Sequence, residues 1–198
     1  MSEDQRKRFL ARSQAAIDDL IEEIDTLLLV ASAERLDEEI SRWNLLEMIE
    51  GCLHRLPPDQ KSSVRLELPA AEVLITSALK ANQIIFKNLL ANALRYSSLA
   101  KPRPVIVIRS IQKNSNLILE ITDNGIGFAH GLEARIFEPF YRTAEAKKMV
   151  PSGTGLGLTL VKRLGEQCGV EVESSSRGVD AGVVARMTWK SAVMETHA

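Results

Sequence analysis

The chain has 198 residues, 45% of them hydrophobic and 26% charged, which suits one soluble globular domain with an appendage and leaves little room for two full domains. Its 25 Lys and Arg residues nearly balance 26 Asp and Glu, so the net charge of -1 gives no general attraction to nucleic acid or to an anionic membrane, and we expect no nucleic-acid partner. No apolar run reaches the roughly 20 residues of a membrane span and the N-terminus does not read as a signal peptide, so we expect a cytoplasmic location.

The first 42 residues carry an apolar stripe with heptad spacing. Leu10, Ile17, Ile24 and Ala31 lie seven residues apart, and neither Pro nor Gly interrupts residues 2–50. This pattern predicts a long helix from Phe9 to about Arg35 that packs on another helix in a coiled coil or bundle. An ordinary helix packed on its own domain is the alternative, because such helices also carry a wide stripe. We assign residues 1–42 to this segment, 43–192 to the main domain and 193–198 to a tail.

The main domain alternates between helical and extended patterns. "WNLLEMIEGCLHRL" predicts a short helix that "PPDQKSS" ends, and strand-like "VRLEL" and "EVLITS" precede a helix from Ala78 to Tyr96. "PVIVIRSIQK" and "NLILEITD" predict a hairpin, and "VEVESS" and "GVVARMTW" predict two more strands around "RGVDAG". The fold class expected is α+β, a two-layer α/β sandwich with a mixed, mainly antiparallel sheet and helices on one face.

Two asparagines interrupt the helix at residues 82–97. Asn88 and Asn92 lie one turn apart on one face, with Arg95 and Tyr96 on the next turn, and each Asn costs roughly 0.6 kcal/mol relative to Ala within a helix. Two carboxamide oxygens and a guanidinium suit a hydrated Mg²⁺ and the phosphates that it bridges. The alternative is that both side chains are hydrogen-bonded in the core or simply exposed.

The stretch "ITDNGIGF" follows a predicted strand and places Asp123 before Gly125 and Gly127. A carboxylate there suits an exocyclic amine such as that of adenine, and the glycines let the backbone approach a flat ring. An ordinary Asn-Gly turn is the alternative.

A long connection and a glycine-rich stretch follow. Residues 128–152 hold one predicted short helix, "LEARIFEPFYR", and we expect a lid that Phe137, Phe140 and Tyr141 attach to the body. Arg142 could reach a polyphosphate from this lid, whereas Lys147 and Lys148 are expected to be solvated. "SGTGLGLTL" then predicts a loop whose amides and following helix N-terminus receive phosphate. No "GxxxxGK[ST]" or "GxGxxG" pattern occurs, which excludes a P-loop and a dinucleotide-binding fold.

The stretches "NLLANALRYS", "DNGIGF", "IFEPFYR" and "GTGLGL", in this order, closely resemble the asparagine, first glycine, phenylalanine and second glycine boxes of bacterial sensor histidine kinases. The ATP-binding domain of those kinases has the Bergerat fold and belongs with the ATPase domains of DNA gyrase, heat-shock chaperones and MutL. The resemblance covers about residues 60–190.

The resemblance implies ATP and Mg²⁺ as cofactors, with Asn92 as the metal ligand, Asn88 near the γ-phosphate and Asp123 on the adenine amine. It also implies Asn rather than a catalytic Glu at position 88, which favours phosphoryl transfer to a protein over hydrolysis. Further ATP-binding residues are expected at the phosphate, the ribose, the base and the closing loop: Arg95, Tyr96, Gly125, Gly127, Arg142, Gly153, Thr154, Gly155, Leu156, Gly157 and Leu158.

The phosphoacceptor region of the family has no match here. The family carries its histidine in a segment like "HELRTPL", whereas His54, His130 and His197 lie in other contexts. We therefore expect the N-terminal helix to match the second helix of the dimerisation hairpin, with the acceptor histidine on another segment or chain. The expected partners are a histidine-bearing dimerisation domain, a response regulator through a membrane-anchored parent kinase, and a second copy in a homodimer. A non-catalytic ATP-binding module that inhibits or scaffolds a partner is the alternative function, and an ATP hydrolase is disfavoured.

Overall fold

The computed structural model describes residues 5–6, 9–10, 39–69, 71–98, 103–151 and 153–190. The chain divides into two compact units, Met1–Leu36 and Asp37–Ala198. In the first unit Gln5, Arg6, Phe9 and Leu10 are helical. The rest of the predicted N-terminal helix and the predicted tail lie outside the described residues. Across the described ranges, no helix combines the length and apolar character needed to cross a bilayer.

The second unit contains strands and helices in mixed order. The strands are β1 Ile40–Asn44, β2 Val64–Glu67, β3 Leu74–Ala78, β4 Ile106–Lys113, β5 Asn116–Asp123, β6 Val170–Ser175 and β7 Val184–Lys190. The helices are α1 Leu45–Leu53, α2 Pro58–Lys61, α3 Leu79–Ser98, α4 Ala144–Met149 and α5 Gly157–Cys168, with a 3₁₀ turn at Arg135–Phe137.

Five of these strands form the main sheet in the order β2-β4-β5-β7-β6. β2 pairs with β4 in parallel, and every other pairing in this sheet is antiparallel. The predicted hairpin forms as β4 and β5, joined at Asn114, whose φ of 56° suits a tight turn. The mixed, mainly antiparallel sheet expected from the sequence is confirmed.

The helices pack on one face of this sheet. Alternate residues of the strands are buried beneath them, among them Ile106 and Ile108 of β4, Leu119 of β5 and Met187 of β7. From the helices, α3 and α5 contribute an apolar set that closes the core: Ile85, Phe86, Leu89, Leu90, Leu160, Val161 and Leu164. The predicted two-layer sandwich therefore forms, because period-2 strands and period-3.6 helices each bury one face.

The opposite face of the sheet carries a charged row. Glu120 of β5 is almost fully buried between Arg109 at 2.5 Å and Arg186 at 2.6 Å, and Arg186 also contacts Glu173 at 3.2 Å. Burial disfavours the Glu120 carboxylate, but the hydrogen bonds from Arg186 and Arg109 outweigh it and lower its pKa. On this face the Glu120 carboxylate is therefore held by two guanidinium groups.

A two-stranded ribbon of β1 and β3 lies outside the main sheet order. The sequence did not predict β1, and this strand lies across the domain boundary expected at residue 42. Trp43 of β1 is buried, donates from Nε1 to the Ser77 carbonyl at 3.2 Å, and meets Trp189 of β7 edge to face at 6.3 Å between ring centroids. The buried Asn82 of α3 accepts from Trp189 Nε1 at 3.0 Å and donates to the Ser77 hydroxyl at 2.9 Å, which joins the ribbon, the helix and the sheet.

The connection 128–152 differs from its expected form. The predicted helix "LEARIFEPFYR" is a single 3₁₀ turn, because Pro139 and the positive φ of 63° at Phe140 stop its continuation. Of the residues expected to attach the lid, Phe140 is 67% exposed, whereas Phe137 and Tyr141 are half-buried. The buried residues in the described part of this connection are Phe128, Ile136, Thr143 and Ala146. The sequence missed α4, which begins at the Thr143 cap, while Lys147 and Lys148 are exposed as expected.

Candidate functional site

Asn88 lies at the junction of α3 with α5, and Asn92 lies one turn further along α3. Both are half-buried. The Asn88 Nδ2 donates to the Ile84 carbonyl at 3.0 Å, and its Oδ1 faces Gly157, where an added Cβ would stand 3.0 Å away. Asn92 makes no side-chain hydrogen bond with the described part of the chain. The amide of Asn88 thus bonds within the helix, whereas its oxygen points toward the glycine-rich stretch.

The glycine-rich stretch leads directly into α5. This helix begins at Gly157 after Leu156, which provides no side-chain cap, and its first turn contains no acidic residue. The backbone bond from Leu160 N to the Leu156 carbonyl, 2.9 Å long, opens the helical ladder. The amides of the first turn therefore lack helical acceptors, and they form a site for an anion whose charge the helix dipole also favours.

Gly155 fixes the shape of this loop. Its φ of 77° lies in the left-handed region, and an added Cβ would approach the backbone of Phe140 and Tyr141 to 2.9 Å. Leu156 is buried, whereas Gly153, Thr154, Gly157 and Leu158 are half-buried. The loop thus packs on the end of the lid and leaves its other side toward α3.

Arg142 lies beside this loop, with its guanidinium bonded to the protein. It donates to the carbonyls of Gly153 at 2.6 Å, Ala146 at 2.9 Å and Pro151 at 3.3 Å, and to that of Val150. These bonds tie the C-terminal end of α4 to the start of the glycine-rich loop. In this arrangement Arg142 shapes the loop that the sequence assigns to phosphate.

Asp123 ends β5 at the other end of α3. Its Oδ1 accepts from the Gly125 amide at 2.7 Å and from the Val183 amide at 3.3 Å. Burial raises the pKa of Asp123 from 3.8 to about 6, and the hydrogen bonds from Gly125 and Val183 and the nearby Ser97 hydroxyl offset part of the rise. One carboxylate oxygen, Oδ1, is therefore held by two backbone amides.

Ser97 is a site residue that the sequence analysis missed. It is fully buried at the end of α3, and its hydroxyl has no hydrogen-bond partner of normal geometry among the described residues. The Ser97 hydroxyl lies close enough to Asp123 to lower the pKa of that carboxyl. A ligand or water bound beside Asp123 would complete its hydrogen bonding. The only signal in the sequence was its position directly after Tyr96, at the end of "NLLANALRYS".

The glycines of "DNGIGF" pack against protein backbone. An added Cβ at Gly125 would approach the Tyr96 carbonyl oxygen to 2.8 Å, and one at Gly127 would overlap the Gly178 carbonyl oxygen. Gly127 also has a φ of 58°. Both glycines are therefore required by the neighbouring chain segments, whatever they border on the ligand side.

Helix α3 connects the two groups of site residues. Asn88 lies by the glycine-rich loop, and Ser97 lies by Asp123. In the last turn of the helix the Tyr96 side chain is half-buried and the Arg95 side chain is exposed. Ser97 is nine positions after Asn88 in the helix, which corresponds to a rise of about 14 Å. The Asp123 carboxylate and the uncapped start of α5 at Gly157 thus lie beside different turns of the same helix.

The described residues include no group of three or more His, Cys, Asp and Glu side chains placed to hold a metal ion. The donor set still fits Mg²⁺, because the side-chain oxygens of Asn92 and Asn88 are hard ligands and Mg²⁺ takes its remaining ligands readily from phosphate and water.

The two-layer sandwich, the uncapped helix behind a glycine-rich loop and the half-buried Asp123 carboxylate together define an ATP-binding domain. Residues 79–192 match the family described as histidine kinase-, DNA gyrase B-, and HSP90-like ATPase, and the chain belongs to this family. It is the kind of ATPase domain found in the sensor kinases of two-component systems.

The chain is also similar in sequence to sensor proteins of bacteria. The chain is 27% identical over 183 residues to the sensor histidine kinase YcbM of Bacillus subtilis, covering 89% of this chain and 58% of that protein. It is 29% identical over 189 residues to the sensor protein QseC of Escherichia coli K12, covering 93% of this chain and 40% of that protein. The chain thus spans about half the length of these relatives.

Solved structures support the fold. The mycobacterial sensor histidine kinase MprB superposes with a TM-score of 0.64 at 21% identity, covering 79% of this chain and all of that one. The Acinetobacter baumannii histidine kinase AdeS gives a TM-score of 0.66 at 22% identity, with 96% and 86% of the two chains covered. The expected Bergerat-type sandwich is therefore confirmed.

Proposed function

We propose that this chain binds Mg·ATP and donates the γ-phosphoryl group to a histidine on a kinase phosphoacceptor helix, in two-component signalling in the cytoplasm. The acceptor helix belongs to another segment or chain, and the response regulator is reached through the parent kinase. The observation that carries this proposal is the approach of the Asn88 oxygen to the uncapped start of α5, with the half-buried Asp123 carboxylate beside the C-terminal end of the same helix α3.

Each end of the site has its own task in this proposal. Asp123 accepts a hydrogen bond from the adenine amine, since its Oδ1 is held by Gly125 and Val183. The amides of the first turn of α5 receive phosphate oxygens. Asn92 binds Mg²⁺ and Asn88 lies beside it. The metal, when bound, neutralises charge on the phosphates.

The chemistry proposed is an in-line transfer. A nitrogen of the acceptor imidazole attacks the γ-phosphorus, the bond from that phosphorus to the bridging oxygen breaks, and ADP leaves with the electron pair. The domain contributes position and charge neutralisation and no covalent intermediate of its own. Position 88 holds an amide, which cannot act as a general base toward water, and this disfavours hydrolysis.

A second candidate function follows from the histidines. His54 and His130 are exposed in turns, outside the contexts in which the resembling family carries its acceptor. A non-catalytic module that binds ATP and inhibits or scaffolds a partner through the N-terminal helix would need no acceptor.

Incubation with γ-labelled ATP and Mg²⁺ separates these functions. The chain alone is expected to remain unlabelled, and a separately supplied dimerisation domain with its histidine is expected to gain acid-labile label. The matched control is Asn92→Ala, which should abolish the transfer and leave the fold intact, because Asn92 is half-buried and makes no bond within the described chain. ATP binding without transfer to any acceptor supports the module, and label on the isolated chain contradicts both functions as stated.

A further inference from the structure

Ser176 lies outside every stretch that the sequence assigns to the nucleotide, yet it is the centre of a hydrogen-bonded loop beside the adenine end. It follows β6 and is only 8% exposed. Its hydroxyl accepts from the Phe128 amide at 3.1 Å and the Gly178 amide at 3.2 Å. The same oxygen lies 2.7 Å from the Gly182 carbonyl and 2.9 Å from the Gly178 carbonyl, and its single proton bonds one of them at a time.

The loop 176–183 is bonded along its length to the segment 123–128. The Asp180 amide donates to the Ile126 carbonyl at 2.6 Å, and the Gly182 amide donates to the Gly125 carbonyl at 3.0 Å. Two more hydrogen bonds join Asp123 and Val183. The Asp123 amide donates to the Val183 carbonyl at 2.9 Å, and the Val183 amide donates to Asp123 Oδ1 at 3.3 Å. The base-binding carboxylate is thus oriented partly from this loop.

The packing leaves this loop little freedom to move. An added Cβ at Gly182 would overlap the Asp123 carbonyl oxygen, and one at Gly127 would stand 2.6 Å from the Ser176 hydroxyl. Gly182 and Asp180 both have positive φ, at 72° and 63°. Such backbone conformations persist only where the surroundings hold them, and the Ser176 hydroxyl bonds both ends of the turn.

We propose that Ser176 is a positioning residue for adenine recognition: through Gly182 and Val183 it holds the Asp123 carboxylate, and through Phe128 it holds the "GIGF" segment. This role rests on the proposed function, and it makes Ser176 the residue that sets the preference of the nucleotide site for adenine over other bases. Ser176 touches no substrate in this role and acts through Asp123.

The groups around Asp123 make this role measurable. The carboxylate is perturbed by burial, by the Gly125 and Val183 amides and by the Ser97 hydroxyl, and no charged side chain contributes among the described residues. Weakening the Val183 bond leaves the ionised form less stabilised, so the pH at which binding is half lost moves upward. A loss of overall stability alone would not move that pH.

The test is titration of the full chain with ATP and with GTP, from pH 5 to pH 8, by calorimetry. Ser176→Ala is expected to weaken ATP about tenfold, to leave GTP nearly unchanged, and to raise the pH midpoint for ATP. Ser176→Thr keeps the hydroxyl and should restore both readouts. Ser174→Ala, at an equally buried serine of β6, is the matched control and should match the unchanged chain.

Ser176→Cys covers the case in which the alanine variant fails to fold. It keeps the size of the side chain with a weaker donor, and the ATP-to-GTP ratio should fall part of the way. A folded Ser176 variant with an unchanged ratio and midpoint overturns the positioning role while ATP binding stands. If the unchanged chain binds no adenine nucleotide, the proposed function fails, and this inference fails with it.

Discussion

Asp123 accepts its hydrogen bonds from backbone amides that a second loop holds in place, whereas the glycine-rich loop at residues 153–157 is tied mainly by one long side chain, Arg142. At the adenine end, an added methyl group would overlap backbone atoms at Gly127 and Gly182. At the phosphate end, an added methyl on Gly153 would meet only the Arg142 guanidinium, at 3.0 Å. Gly155 at the phosphate end also lies against the backbone of Phe140 and Tyr141, so the contrast between the two ends concerns Gly153, whose neighbour is a side chain that can move.

The largest expected effect tests this contrast through stability. Gly182→Ala should lower the free energy of unfolding by about 3 kcal/mol or more, because a left-handed backbone is disfavoured for Ala and the new Cβ overlaps the Asp123 carbonyl. Gly153→Ala should cost less than about 1 kcal/mol, since a flexible side chain can move aside. Urea unfolding of both variants is the measurement. Equal losses would mean that Gly153 has no more room for a methyl group than Gly182 has.

The next effect distinguishes the adenine end from the phosphate end by which nucleotides each variant binds more weakly. Asp123→Asn should weaken AMP, ADP and ATP alike, by about 10- to 100-fold, because the carboxamide replaces an ionised acceptor with a neutral group. Asn92→Ala should weaken only Mg·ATP and Mg·ADP and leave AMP unchanged. Calorimetric titration of the three nucleotides measures both. An Asp123→Asn loss confined to ATP would place that residue at the phosphates instead.

The third effect is a pH dependence confined to the adenine end. The folded-state pKa of Asp123, about 6, lies above the ordinary 3.8, so the folded chain binds a proton more tightly than the unfolded chain. The contribution of this group to stability therefore rises as pH falls from 6 to 4. Nucleotide binding needs the ionised carboxylate, and ATP affinity should fall over the same window, by up to about tenfold per pH unit. Asp123→Asn should flatten the ATP profile, and a persistent slope would assign it to another group.

The sequence predicted those parts whose signal lies within one segment. The strand pattern of "PVIVIRSIQK" and "NLILEITD", the helix around Asn88 and the glycine-rich start of α5 all depend on neighbours along the chain. The sequence did not predict β1 for the same reason. "ISRWN" shows no alternation of apolar residues, and its strand conformation depends on pairing with β3. Trp43 of β1 and its hydrogen-bond partner Ser77 of β3 are 34 residues apart in the chain.

The remaining parts of the site depend on distant pairs. Ser176 meets Phe128 across 48 residues, and Val183 meets Asp123 across 60, and neither pair has a periodic trace in the sequence. Arg142 was assigned to phosphate from its position in the lid, whereas its carbonyl partners depend on where α4 ends. The roles of individual residues toward ATP stay predictions.

The edge-to-face contact of Trp43 and Trp189 has a practical consequence, because these are the only two tryptophans in the sequence. One indole belongs to the ribbon and the other to the main sheet, and Asn82 bonds the second of them to the helix that carries Asn88. All tryptophan emission of the molecule therefore arises from one buried pair. The protein carries an intrinsic optical reporter for the docking of its ribbon, and no dye has to be attached.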